Sequence, residues 1–316
     1  MAEGRVYRPA LIMAFSYLIT QLTALAIIPL YPEDYRAFKD PNNPVNPLYY
    51  VVIIIVFTAI FLWIAKKGKD SIIKWFMVFS VWATIVFALY PLIYRAIPIV
   101  FGYPGLFVDI PFSIALASGT IIAGALIVNP EWYVVDTAGI IMGAGSIAIF
   151  GLSFGVLPSL ILLSIMAVYD FISVYRTKHM IDLADTVLET KLPIILVAPK
   201  KKSYSFVKDT IKIEKESRGS EGRGERDALF MGLGDIIIPG ILSASIYLNS
   251  SPPYNLPIAL SAIAGSFIGY LVLLRFVMKG RAQAGLPFLN SGAIAGYLIA
   301  SYIITGNPLY GVVWWW

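Results

Sequence analysis

Residues 157–175 read LPSLILLSIMAVYDFISVY and residues 228–248 read ALFMGLGDIIIPGILSASIYL. As helices rising about 1.5 Å per residue, segments of this length cross most of a hydrocarbon core about 30 Å thick. Each carries one acidic residue, Asp170 in Ala167-Val168-Tyr169-Asp170-Phe171 and Asp235 in Gly232-Leu233-Gly234-Asp235. An ionisable group within an apolar span is costly to hold there, so it is a functional candidate by default. Asp170 precedes Arg176 by six residues, which places it about 9 Å inside one end of its span. Asp235 follows Asp227 by eight residues, about 12 Å inside the same face if the segment is helical. The two segments run in opposite directions, so their carboxyl groups are expected at similar depth on consecutive antiparallel helices.

The rest of the chain agrees with a membrane setting. Of 316 residues, 58% are hydrophobic and 14% charged, with a mean hydropathy of +0.77, far from the balance of a soluble domain. Apolar stretches predict spans at 9–29, 48–65, 72–94, 111–128, 134–152, 157–175, 228–248, 256–277 and 286–304. The expected fold is therefore all-α, a polytopic membrane bundle of about nine helices. It divides into an N-terminal membrane part (1–175), a polar loop (176–227) and a C-terminal membrane part (228–316). The first span is too long for a signal peptide and lacks a clean cleavage site.

Lys and Arg resist translocation and collect on the cytoplasmic side. With the N-terminus inside, Arg5, Arg8, Lys66, Lys67, Lys69, Lys74, Lys200, Lys201, Lys202, Arg275, Lys279 and Arg281 all lie inside, leaving Arg36, Lys39 and Arg95 outside. That partition predicts an integral multi-pass protein of the cell membrane with a cytoplasmic N-terminus and an extracytoplasmic C-terminus. It also accounts for the net charge of +5 without nucleic-acid binding. Within the loop, Met180, Ile181, Leu183, Ala184, Val187 and Leu188 have the spacing of an interfacial helix. Leu192 to Val197 reads as a short strand, and the charged run after Ile213 lacks apolar periodicity.

Two carboxyls in a poorly solvated site share one proton. The ionised member can take a proton from water while the protonated member polarises a peptide carbonyl, so hydrolysis needs neither metal nor other cofactor. Gly232 and Gly234 would let an extended chain approach the backbone beside Asp235. Other chemistries fit less well. There is no cysteine, and the single histidine, His179, cannot make a His-Glu-x-x-His zinc site. Gly151-Leu152-Ser153-Phe154-Gly155 matches a serine nucleophile pattern, but His179 is expected on the opposite side. A proton- or ion-coupled transporter using the same two Asp residues is the alternative of another class. The pairs Gly139 and Gly143, Gly265 and Gly269, and Gly292 and Gly296 have small-xxx-small spacing suited to packing within the bundle.

Tyr169-Asp170 in one span and Gly232-Leu233-Gly234-Asp235 in the next resemble the motifs of the presenilin and signal peptide peptidase family of intramembrane aspartyl proteases. With a cytoplasmic N-terminus the chain is most similar to the presenilin branch, in particular to archaeal presenilin homologues. The resemblance implies Asp170 and Asp235 as catalytic residues. It also implies a third motif at the start of the last span, where Pro287-Phe288-Leu289 stands for the family's Pro-Ala-Leu. Tyr169, Gly232, Leu233, Gly234, Pro287, Phe288 and Leu289 are then expected to shape the site or position substrate. The implied substrates are single-span membrane proteins or peptides, unwound locally before cleavage. Leu192 to Val197 and the residues before Ala228 are candidate strand edges for holding them.

Overall fold

The structure, a computed structural model, describes residues 4–67, 70–101, 109–177, 195–201, 204–206, 228–277 and 283–314. Nine α-helices are described: α1 (Gly4–Ile27), α2 (Asn46–Lys66), α3 (Asp70–Phe101), α4 (Asp109–Val128), α5 (Trp132–Ser153), α6 (Val156–Ile172), α7 (Gly234–Asn249), α8 (Asn255–Val277) and α9 (Leu286–Thr305). Between α6 and α7 lie two strands, β1 (Ile195–Pro199) and β2 (Ala228–Gly232). By length and composition α1, α3, α4, α5, α6, α8 and α9 suffice to cross a membrane, whereas α7 is a shorter apolar helix of 16 residues.

The main core joins helices from both sides of the central loop. Ala24 of α1, Ala144 and Ile147 of α5, Leu163 of α6, Leu242 and Ile246 of α7, Ile263 of α8 and Tyr297 of α9 form one buried cluster. α2 lies at the periphery and exposes Val52, Ile53, Ile55, Val56 and Phe57, as a helix bathed in lipid would. α8 and α9 approach through their glycines. A side chain on Gly265 would collide with the Gly292 carbonyl, and one on Gly269 with the Phe288 carbonyl, so the small-xxx-small spacing packs helices within the chain.

Span seven departs from expectation. Residues 228–232 are not its first helical turns but β2, antiparallel to β1 in a register from Ile195↔Gly232 to Pro199↔Ala228. Both faces of β1 are covered. Leu196 and Ala198 join Met13, Tyr17 and Leu289, while Val197 joins Val81, Ile85 and Ala138. β2, Ala228-Leu229-Phe230-Met231-Gly232, carries no charged or polar side chain, and such a run before a helix reads as the helix itself. Of the expected strand at Leu192 to Val197, residues 195–197 lie in β1, which runs on to Pro199; residues 192–194 lie outside the described residues. The interfacial helix from Met180, His179, and the polar run after Ile213 lie outside the described residues.

One bond fixes which backbone groups of the sheet face which way. The Val197 N–H donates to Asp136 Oδ1 of α5 at 2.8 Å, not to β2. In an antiparallel pair residues alternate between exchanging both bonds and exchanging none, so Val197 and Phe230 form a non-bonded pair. Leu196↔Met231 and Ala198↔Leu229 then carry the ladder. Pro199 falls on the outward parity, where a strand can spare an N–H. On β2 the backbone groups of Ala228, Phe230 and Gly232 point away from β1, towards an edge that no other described strand occupies.

Candidate active site

Asp170 sits near the C-terminal end of α6 and is only 5% exposed. A π-helical turn, Ser173–Thr177, begins three residues later, the kind of widened turn found near functional sites. The Asp170 carboxyl accepts the backbone N–H of Leu286 at 3.0 Å. That donor is the first residue of α9, where helical amides lack partners and the helix dipole favours negative charge. The start of α9 can be accounted for amide by amide. Leu286 bonds Asp170, Pro287 has no N–H to place, and the Phe288 N–H turns back to the Gly285 carbonyl at 3.1 Å. Asn290, one turn on, donates to the Leu163 carbonyl at 2.8 Å and fastens α9 against α6.

Asp235 lies in the first turn of α7, not about two helical turns into a span, because β2 replaces those turns. Its side chain is half-buried and leans on the same junction. A Cβ added to Gly285 would stand 2.9 Å from Asp235 Oδ2 and 3.2 Å from its Cγ. Thus Asp170 bonds Leu286, Asp235 abuts Gly285, and the two carboxyls lie near enough for the charge of one to bear on the other. Gly285 and Leu286 were not read from the sequence as site residues. The available signal was a glycine at a helix boundary followed by proline in the first turn, which marks a helix start with an unpartnered amide.

The remaining expected site residues separate into two groups. Gly232 and Gly234 flank Asp235 on the open side: a Cβ on Gly232 would come no closer than 3.7 Å to Asp235 Oδ2, and one on Gly234 would meet nothing within 4 Å. Tyr169 is half-buried and packs against the buried cluster that holds Met166, Ile241 and Leu286. Leu233 and Leu289 instead point into the bundle, buried with Leu196, Met231 and Ile236, so Leu289 braces the sheet. Phe288 turns to Phe276 of α8, ring centroids 5.6 Å apart, which takes its bulk away from the acidic pair. Directly deeper along the α6–α7 seam, Tyr50, Ile54, Met166, Ile237, Ile238 and Ile241 help line an apolar cavity of about 100 Å³.

Ser153 does not offer a nucleophile. It is fully buried, accepts the Ala37 N–H at 2.9 Å and donates to the Ile149 carbonyl at 2.7 Å. Asp136 is a buried carboxylate to which sequence reading gave no role. It stood near the start of a span and carried no motif, and its partner on β1 is 61 residues away.

Two acidic side chains that meet one helix junction inside an apolar bundle suit aspartyl protease chemistry, and the comparisons decide the lineage. A sequence model of signal-peptide peptidase and presenilin aspartyl proteases matches residues 14–305. The chain belongs to this family. Two solved structures of a presenilin family intramembrane aspartate protease, in different space groups, resemble this family member closely. The first has 31% sequence identity and a TM-score of 0.67, covering 93% of this chain and 99% of that one. The second has 31% identity and a TM-score of 0.63, covering 93% and 98%. No curated protein sequence matches. This presenilin-family chain is thus an intramembrane aspartic endopeptidase and an integral multi-pass membrane protein.

Proposed function

We propose that Asp170 and Asp235 are its catalytic pair and that it hydrolyses peptide bonds within transmembrane helical substrates. The observation that carries this reading is the meeting of both carboxyls at the Gly285-Leu286 junction. A charge on Asp170 suits the donated Leu286 amide at the positive end of α9. Asp170 is therefore assigned as the base that takes a proton from water, and Asp235 as the acid that protonates the carbonyl oxygen. The hydroxide oxygen adds to the carbonyl carbon. The tetrahedral diol then loses its C–N bond as the amine receives a proton from Asp170, and Asp235 recovers its own from the diol hydroxyl.

A helical substrate shields its peptide bonds, and an unwound stretch in lipid needs partners for its backbone groups. The outward groups of Phe230 and Gly232 on β2 offer them, next to Asp235, so the substrate strand is assigned to the β2 edge. The distribution of Lys and Arg along the chain supports assigning this end of the bundle to the cytoplasmic face.

The test is to incubate purified protein with a single-span peptide and identify fragments by mass spectrometry. The unaltered chain should yield two complementary fragments. Asp170→Asn and Asp235→Asn should each lower cleavage by on the order of 10³-fold or more with unchanged melting temperature. Cleavage retained in either variant would reject the pair, and a transporter would cleave nothing even unaltered.

A further inference from the structure

Asp136 occupies a position that catalysis does not use and that apolar packing does not explain. It lies in the second turn of α5 and is 6% exposed, next to Val135 and Ala138 of an otherwise hydrophobic cluster. A buried carboxylate is retained only where hydrogen bonds compensate its lost hydration. Its Oδ1 accepts the Val197 N–H of β1 at 2.8 Å. One turn earlier, Glu131 grips the residues after that strand: Oε1 accepts the Ser205 hydroxyl at 2.7 Å and Oε2 the Phe206 N–H at 3.1 Å. Two carboxylates at one end of α5 thus hold two points of a single segment, residues 197 and 205–206.

The consequence concerns edges. A two-stranded sheet has two, and either can pair with an extended chain. The edge of β1 would lead an incoming strand away from Asp235, because β2 would lie between them. The edge of β2 leads directly to Gly232 and the acid. We infer that Asp136 is a positioning residue that closes the β1 edge, so that substrate is taken up only on β2 in a single register, with Glu131 securing the end of the same segment. This inference rests on the catalytic reading above.

Three variants test it. Asp136→Leu removes the acceptor, Val197→Pro removes the donor while sparing the β1–β2 ladder, and Asp136→Asn keeps an acceptor oxygen. With a single-span peptide, the first two should each raise KM roughly tenfold, the worth of one buried hydrogen bond. They should also scatter the product termini over neighbouring peptide bonds, while kcat changes little. Asp136→Asn should cleave at the original bond with KM near that of the unaltered chain. A hydroxyl-bearing peptidomimetic too short to pair with the sheet should bind all three alike. If Asp136→Leu does not fold, Val197→Pro alone carries the test. Unchanged KM and product ends in Val197→Pro would overturn the inference, as would an Asp136→Asn phenotype matching Asp136→Leu, or loss of peptidomimetic binding in Val197→Pro. Failure of the catalytic reading looks different, since the unaltered chain would then cleave nothing.

Discussion

Gly285 is where the site tolerates least. Its missing side chain leaves the space that the Asp235 carboxyl occupies, with a would-be Cβ only 2.9 Å from Oδ2. Gly285→Ala should push Asp235 off its position while leaving the helices intact, because the nearest atoms belong to a side chain and not to backbone. Misplacing a reacting group by about 1 Å costs on the order of 10²-fold in rate. Steady-state kinetics should show a fall of that size in kcat with a melting temperature close to that of the unaltered protein. Asp170 and Asp235 were legible in sequence because a charge in an apolar run is conspicuous. Gly285, Leu286 and Asp136 were not, because their roles arise from partners far along the chain: Leu286 meets Asp170 across 116 residues, and Val197 meets Asp136 across 61.

Among the elements, β2 separates what hydropathy can read from what it cannot. Every expected span has a helix near it, since twenty apolar residues have few alternatives in lipid. Yet Ala228-Leu229-Phe230-Met231-Gly232 is equally apolar as a strand, and only its pairing with β1 distinguishes the two. The strand itself was legible near Leu192 to Val197, but not which edge remains available, because that depends on Asp136. The register of the two strands separates the effects of proline on each. Proline at Ile195 falls on the covered outer side of β1 and should leave cleavage of a single-span substrate within a few-fold of normal. Proline at Phe230 removes an N–H from the open edge and should lower kcat/KM for that substrate by roughly tenfold or more. Cleavage assays on both variants check this, and equal losses would contradict the assignment to β2.

At the scale of the molecule, helices from both sides of the central loop build one core, so the junctions α6–α9 and β2–α7 are held relative to each other by the whole bundle. This is why two carboxyls from separate helices can share one dipeptide. α2, α3 and α4 contribute little to that core and present apolar faces outward. In the proposed reaction Asp170 and Asp235 act together on one tetrahedral species. The most direct measurement is the affinity of a hydroxyl-bearing transition-state mimic for the unaltered protein, Asp170→Asn and Asp235→Asn, since such mimics gain at least about 10² in affinity from the groups that stabilise the transition state. Both single variants should lose on the order of 10²-fold or more, and the double variant scarcely further. Binding of the mimic to either single variant as tightly as to the unaltered protein would contradict the shared site.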